Sequence, residues 1–291
     1  MGNPSPLRYP GGKYKISKLI ALLLSKAGDN CSTYIEPFAG GAGIAIDLLL
    51  RDVVAQIVIN DSDPAIASFW KAVVQETDAF IDKIDSTPVT IEEWHNQREI
   101  YLMDKKYSLD YGFATFFLNR TNHSGILASG PIGGRKQKAW KLDVRYNKED
   151  LIKKVEEIGR RRKQIKVYNR DVISFISNQL KHYERSAFVY FDPPYYRKGK
   201  VLYQNFFDDK KHRALYAKIK ADVKCPWIVS YDDVPEVCDI YKGLPQKHFS
   251  LGYSLANNGY GKEVMFFGRR NLVPTMNDIR HVKMEKLFCD S

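Results

Sequence analysis

The chain has 291 residues, 44% hydrophobic and 27% charged, which is longer than a usual single domain, so a core domain with a second unit or sizeable insertion is expected. No apolar run is long enough to cross a membrane, and Cys31, Cys225, Cys238 and Cys289 form no CxxC pair, which argues against a membrane protein, a zinc site and a disulfide framework. Forty-five Lys and Arg against 34 Asp and Glu leave a formal net charge of +11, which favours a polyanionic partner over the reading of a generically basic enzyme.

In chain order, residues 15–24 are an apolar helix candidate, and residues 33–38 a strand running into Ala39-Gly40-Gly41-Ala42-Gly43. Residues 44–50 are the next helix and residues 57–60 a second strand ending at Asp61. Pro64 suits the first turn of a further helix, with Ser62 or Asp63 as cap. Strand, helix, strand, helix is the opening of a doubly wound parallel sheet. The alternation breaks over residues 67–164. There Thr90 and Glu93 form a capping box for a helix through Met103, residues 111–118 look helical, residues 119–134 are polar and turn-rich, and a helix covers 148–163. A mostly helical insertion with one long loop is expected. Strands resume over 165–168, 187–191 and 227–231, with Asp171 following the first. Strands over 249–253 and 264–267 flank Asn257-Asn258-Gly259 as an antiparallel hairpin, and residues beyond Arg270 read as peripheral. Basic runs at Gly134-Arg135-Lys136-Gln137-Lys138, Arg160-Arg161-Arg162-Lys163 and Arg197-Lys198-Gly199-Lys200 lie in turn-like stretches where cations can reach phosphates.

Two segments carry the chemistry. In Val189-Tyr190-Phe191-Asp192-Pro193-Pro194-Tyr195 an apolar strand delivers Asp192 to its carboxyl end, where open α/β sheets bind ligands. The two prolines fix the turn, remove two N–H donors and leave their carbonyls as acceptors, with Tyr195 held to stack. A planar amine donating two hydrogen bonds fits; an ordinary strand-ending Pro-Pro turn is the alternative. In the glycine-rich turn, Gly41-Ala42-Gly43 supplies GxG, but Ile46 occupies the third glycine position of a dinucleotide site. A loop for close ligand approach at a helix N-terminus remains, with Asp61 placed to hold ribose hydroxyls. A nucleoside-bearing cofactor without an essential pyrophosphate meets these conditions, and S-adenosylmethionine is the candidate.

Tyr9-Pro10-Gly11-Gly12-Lys13, Glu36-Pro37-Phe38-Ala39-Gly40-Gly41-Ala42-Gly43, Asn60-Asp61, Phe117-Leu118-Asn119-Arg120 and Asp192-Pro193-Pro194-Tyr195 together resemble the Dam-like, or D12, class of adenine-specific DNA methyltransferases, in the family's order and over nearly the whole chain. The resemblance implies an α/β fold: a Rossmann-like, seven-stranded S-adenosylmethionine-dependent methyltransferase sheet with an inserted, mostly helical target-recognition domain. Residues 1–66 and 165–275 would then be the catalytic domain, 67–164 the target-recognition domain and 276–291 a C-terminal tail. Tyr9, Lys13, Glu36, Phe38, Gly40, Gly41, Gly43, Asp61, Asp171 and Asp192 are the implied cofactor residues, with Lys13 near the methionine end, Asp61 on the ribose and Asp171 near the adenine. A cap on the helix over 172–180 is the competing reading of Asp171.

Asp192, Pro193, Pro194 and Tyr195 are the implied catalytic set, acting on N6 of an adenine flipped out of double-stranded DNA, without a metal. Asn119, Arg120, Asn122, His123, Ser124, Arg135, Lys136 and Lys138 are the implied DNA contacts. Where GATC-reading relatives carry a wedge aromatic, an asparagine and an arginine, this chain has His123, Ser124 and Ala128, so an arginine for bidentate contact with guanine is missing. N4-cytosine, RNA and protein glutamine methyltransferases use related tetrapeptides, commonly with Ser or Asn in place of Asp192; Asp favours adenine. A catalytically silent DNA-binding relative is the alternative from another class, and the intact tetrapeptide and cofactor loop argue against it. No protein partner is implied. Pro4 and Pro6 without a hydrophobic signal region point to the cytoplasm of a bacterial cell or phage-infected host.

Overall fold

Five short runs rich in Val, Ile and aromatic residues form parallel strands: β1 (Thr33–Glu36), β2 (Gln56–Asn60), β3 (Ile165–Tyr168), β4 (Ala187–Phe191) and β5 (Trp227–Asp232). In this computed structural model, which describes residues 2–9, 12–28, 30–103, 105–137, 140–197, 207–252 and 260–288, they join β6 (Gln246–Gly252) and β7 (Tyr260–Phe267) in one seven-stranded sheet of order β3-β2-β1-β4-β5-β7-β6. β7 is antiparallel to both its neighbours. The turn expected at Asn257-Asn258-Gly259 lies outside the described residues, as do Pro10, Gly11, Lys138, Lys198, Gly199, Lys200 and Cys289.

Alternate side chains enter two separate cores, as the two-residue period of a strand requires. Tyr34, Ile57, Phe188, Ile228 and Met265 face one side, where helices α1 (Ser17–Ala27), α2 (Gly43–Leu50) and α3 (Pro64–Gln75) pack. Ile35, Val58, Val189, Val229 and Val264 face the other, against α8 (Val172–Asn178), α9 (Asp209–Asp222) and α10 (Pro235–Ile240). The sheet is therefore doubly wound, as expected.

Between β2 and β3 run α3, α4 (Thr77–Ser86), α5 (Ile91–Met103), α6 (Leu109–Thr121) and α7 (Lys148–Arg160). Asp63 caps α3 by accepting from the Ala65 N–H at 2.9 Å, with Pro64 in the first turn, and Thr90 accepts from the Glu93 N–H at 3.1 Å. Phe69, Phe80, Phe113 and Phe116 interlock edge-to-face and stacked at 5.4–6.1 Å, in one apolar cluster with Tyr34 and Phe188 of the sheet. The break after residue 66 falls inside α3, so these helices and the sheet share a core.

The reading of residues beyond Arg270 as peripheral is corrected. Leu272, Ile279, Met284 and Phe288 are buried, and two short helices, α11 (Met276–His281) and α12 (Glu285–Phe288), close over the sheet, with Phe288 5.6 Å from Phe249. Short polar-flanked segments lack the long apolar period that would have revealed this. No helix among the described residues is long and apolar enough to cross a membrane.

Candidate active site

The chain leaves β1 toward β2 and β3 on one side and later returns through β4 and β5 on the other, opening a crevice at the carboxyl ends of β1 and β4. A cavity of about 200 Å³ lies there, and its wall includes Tyr9, Lys13, Glu36, Phe38, Gly40, Gly41, Gly43, Asp61 and Asp192. Nine of the ten residues expected around a cofactor thus meet at one place. The tenth, Asp171, does not line the cavity; its carboxylate caps α8 by accepting from the Ile173 N–H at 2.9 Å.

The glycine-rich turn is held from three sides. The Ala39 N–H donates to the Asn60 carbonyl, the Trp70 indole donates to the Gly40 carbonyl at 2.9 Å, and the Gly40 N–H donates to Asp61 Oδ2 at 2.8 Å. Gly40 has φ of 45°, and a Cβ there would come within 2.6 Å of the Tyr9 ring, so backbone conformation and space both require glycine. Asn60, itself buried, bonds the Pro37 and Arg170 carbonyls and so ties together the loops after β1, β2 and β3. Burial raises the Asp61 carboxyl to about 7, aided by the nearby Asp63 and opposed by the backbone bonds from Asp63 and Gly40. Glu36, at the carboxyl end of the interior strand β1, accepts from the Tyr34 hydroxyl and the Ala45 N–H, both at 3.1 Å; burial, with a push from Asp192, raises it to about 8.

After β4, the Asp192 carboxylate is gripped by one oxygen. Oδ1 accepts from the Lys13 ammonium and from Ser230 Oγ at 3.3 Å, while the side chain keeps 26% of its surface exposed. Lys13 is buried; its Nζ also reaches Ser230 Oγ at 3.0 Å and Glu263 Oε2 at 3.2 Å, and it lies 5.0 Å from the centre of the Tyr195 ring. Burial opposes the charge on Lys13, but Asp192 and Glu263 outweigh it and hold its pKa well above the ordinary lysine value. Tyr195 donates to Glu263 Oε1 at 2.8 Å. Its ring is 6% exposed and does not line the cavity, which corrects the expectation of an open stacking face; Pro194 reaches the cavity instead. Beyond it, Asp232 accepts from the Tyr196 and Arg197 N–H groups at 2.8 and 3.1 Å and fixes the exit of the turn.

The insertion adds Asn119, Gly125, Ile126, Leu127 and Ala128 to the cavity wall. Two expected DNA contacts turn out to be internal braces. Asn119 is 1% exposed; it accepts from the Arg8 N–H at 2.7 Å and donates to the Arg8 and Gly125 carbonyls at 2.8 and 2.9 Å. Asn122, wholly buried, accepts from the Trp94 indole and donates to the Ile126 and Leu127 carbonyls. Both N–H groups of each amide are committed and each oxygen is already bonded, and burial withholds both side chains from the surface. Arg120 donates to the Arg145 carbonyl at 2.7 Å, and burial lowers it to about 10, with Arg8 adding. His123, Ser124, Arg135 and Lys136 are exposed; Lys138 lies outside the described residues.

The run Arg160-Arg161-Arg162-Lys163 is placed away from this site. It precedes β3 at the amino edge of the parallel strands, with Arg160 paired to Glu156 and Arg161 to Asp52. Arg197 pairs with Glu236 at 3.0 Å. Ser230 and Glu263 belong to no contiguous motif; Ser230 is a polar residue inside an apolar strand, and Glu263 precedes the strand expected over 264–267.

Residues 9–254 match the family model described as D12 class N6 adenine-specific DNA methyltransferase. The chain is similar to the type II methyltransferase M.MjaIII of Methanocaldococcus jannaschii, 25% identical over 207 residues that cover 65% of this chain and 68% of that protein. It is also similar to the modification methylase StsI of Streptococcus sanguinis, 24% identical over 209 residues that cover 66% of this chain but only 28% of that longer protein. Among solved structures, the rRNA methyltransferase aviRa from Streptomyces viridochromogenes aligns with a TM-score of 0.42 and 14% identity, over 91% of this chain and 88% of that one.

Proposed function

The chain belongs to the D12 class of N6 adenine-specific DNA methyltransferases, and on that basis we propose that it moves a methyl group from S-adenosylmethionine to N6 of an adenine flipped out of duplex DNA, giving N6-methyladenine and S-adenosylhomocysteine. S-adenosylmethionine supplies the electrophilic methyl group when bound. The cavity suits it chemically: Asp63 and Asp192 stand in the wall with Glu36 and Asp61, whose raised carboxyls a bound sulfonium cation would draw toward their ionised forms, against the buried Lys13. Gly40 and Gly41, where a Cβ would meet Tyr9 at 2.6 and 2.9 Å, keep the backbone low beneath it. Tyr9, Glu36, Phe38, Gly43 and Asp61 complete the proposed cofactor wall.

Adenine N6 is a poor nucleophile because its lone pair is delocalised into the ring. In this proposal Asp192 and the Pro193 carbonyl accept the two N6 hydrogens, localise the lone pair and aim it at the methyl group. The observation that carries this reading is the one-sided grip on Asp192: Oδ1 is anchored by Lys13 and Ser230, while the residue stays partly exposed in the cavity wall. Rate then comes from positioning and electrostatics. The cost of turning the base out, a few kcal/mol, is met by contacts to its exposed edge. Residues 67–164 are the proposed target-recognition unit on a catalytic body of residues 1–66 and 165–275. His123, Ser124, Arg135 and Lys136 are its proposed DNA-facing groups.

Incubation with labelled S-adenosylmethionine and duplexes methylatable only at adenine or only at cytosine tests the reaction. Label is expected in adenine alone, and Asp192→Ala is expected to lower transfer by at least about 10²-fold while DNA association persists. Label in cytosine, or an active Asp192→Ala variant, defeats the assignment.

A further inference from the structure

Glu263 lies in the second residue tier of the site, outside every motif and outside the cavity wall. Because β7 is antiparallel, its first half runs back along the carboxyl end of β5, with Glu263 opposite Asp232 and Met265 opposite Ser230. Directly paired residues share a face, so the Glu263 and Ser230 side chains point the same way, toward Lys13. The Glu263 side chain is 1% exposed. One carboxylate reaches two residues from distant parts of the chain: Oε1 accepts from the Tyr195 hydroxyl at 2.8 Å, and Oε2 pairs with Lys13 Nζ at 3.2 Å.

We infer that Glu263 is a positioning residue for methyl transfer, holding Lys13 and Tyr195 so that Asp192 presents its free edge to the target amine. The inference rests on the reaction proposed above. A buried carboxylate this close to a second one is costly unless the cation between them is shared. Here Lys13 is divided between Asp192 and Glu263, and each carboxylate also takes a hydroxyl, Asp192 from Ser230 and Glu263 from Tyr195. The Tyr190 and Ser230 hydroxyls, 2.6 Å apart, close the network. A lysine paired with Asp192 alone would sit fully on its carboxylate and weaken it as an acceptor. Sharing with Glu263 leaves Asp192 more of its charge, and the Tyr195 bond stops the turn from tilting. Among the described residues, Asp192, Glu263, Ser230, Tyr195 and Tyr190 face Lys13, and two of these, Asp192 and Glu263, are carboxylates.

Glu263→Gln keeps the volume and an acceptor for Tyr195 but removes the charge. It is expected to lower kcat by on the order of 10- to 100-fold, to leave the dissociation constant for S-adenosylmethionine within about threefold, and to bring an alkaline limb into the kcat profile as Lys13 loses one carboxylate and titrates lower. Tyr195→Phe keeps the charge pair and is expected to lower kcat less, with no new alkaline limb. Should the Gln variant fail to fold, Glu263→Asp carries the test: reduced kcat, unchanged cofactor binding and no new alkaline limb. A Glu263→Gln or Glu263→Asp enzyme with wild-type kcat overturns the inference, as does a loss confined to cofactor affinity. Wild-type protein that methylates no adenine duplex overturns the underlying reaction instead, so the two failures are distinguishable.

Discussion

Single residues in the cavity wall couple protonation to binding. Glu36 and Asp61 have carboxyls raised by burial to about 8 and about 7 from 4.5 and 3.8. A raised folded-state pKa means that the stability associated with the protonated group is fully present below the ordinary carboxylate value and is lost as pH rises through the folded value. Thermal melts of the ligand-free protein are therefore expected to decline between about pH 4 and pH 8 on account of these two groups. A cationic ligand favours their ionised forms, so S-adenosylmethionine is expected to bind more tightly as pH rises from 6 to 8 and to release protons. Calorimetry in buffers of different ionisation enthalpy measures that release; proton uptake would contradict the assignment. Gly40→Ala forces a Cβ at φ of 45° against the Tyr9 ring and is expected to weaken cofactor binding by at least about tenfold. Unchanged affinity would show that Tyr9 moves freely.

Elements matter where a few buried amides hold a loop in place. Asn119, in the last turn of α6, clamps the backbone of Arg8, next to Tyr9, to the turn at Gly125, so one side chain connects the insertion to the wall that carries Tyr9. Asn119→Ala leaves an N–H and two carbonyls without their partner and is expected to cost about 2–4 kcal/mol, read from urea unfolding. Cofactor affinity should fall with it, because Gly125, Ile126 and Leu127 lose their support. At the other end of the chain, Phe288→Ala opens a cavity against Phe249 and is expected to cost about 3 kcal/mol. A neutral result there would return the last helix to the periphery assigned from sequence.

Across the whole molecule the net charge of +11 is not one surface. Arg135 and Lys136 follow the insertion loop that lines the cavity, whereas Arg160 and Arg161 sit at the opposite edge of the sheet and are paired to acids. Replacing Arg135 and Lys136 by Ala is expected to reduce the salt dependence of DNA binding by about 2 in the log–log slope. The same change at Arg160 and Arg161 is expected to leave it nearly unaltered, and equal effects would refute this division of the surface.

The sequence alone determined the doubly wound order, the helical interruption and the main cavity residues. These depend on local periodicity, on glycine and proline geometry, and on the rule that strand ends face the crevice. Asp61 and Asp192 were therefore legible from the residues themselves, whereas Tyr9 and Lys13 became legible only through the family resemblance of the motif that carries them. Tertiary structure alone decided what the polar side chains do. Asn119 and Asn122 look like exposed recognition residues, yet burial consumes both their amides. Tyr195 has a stackable ring, yet Lys13 and Glu263 enclose it. Glu263 enters the site only because the antiparallel β7 returns beside β5, which carries Ser230, and a pairing across strands leaves no mark on either strand read singly.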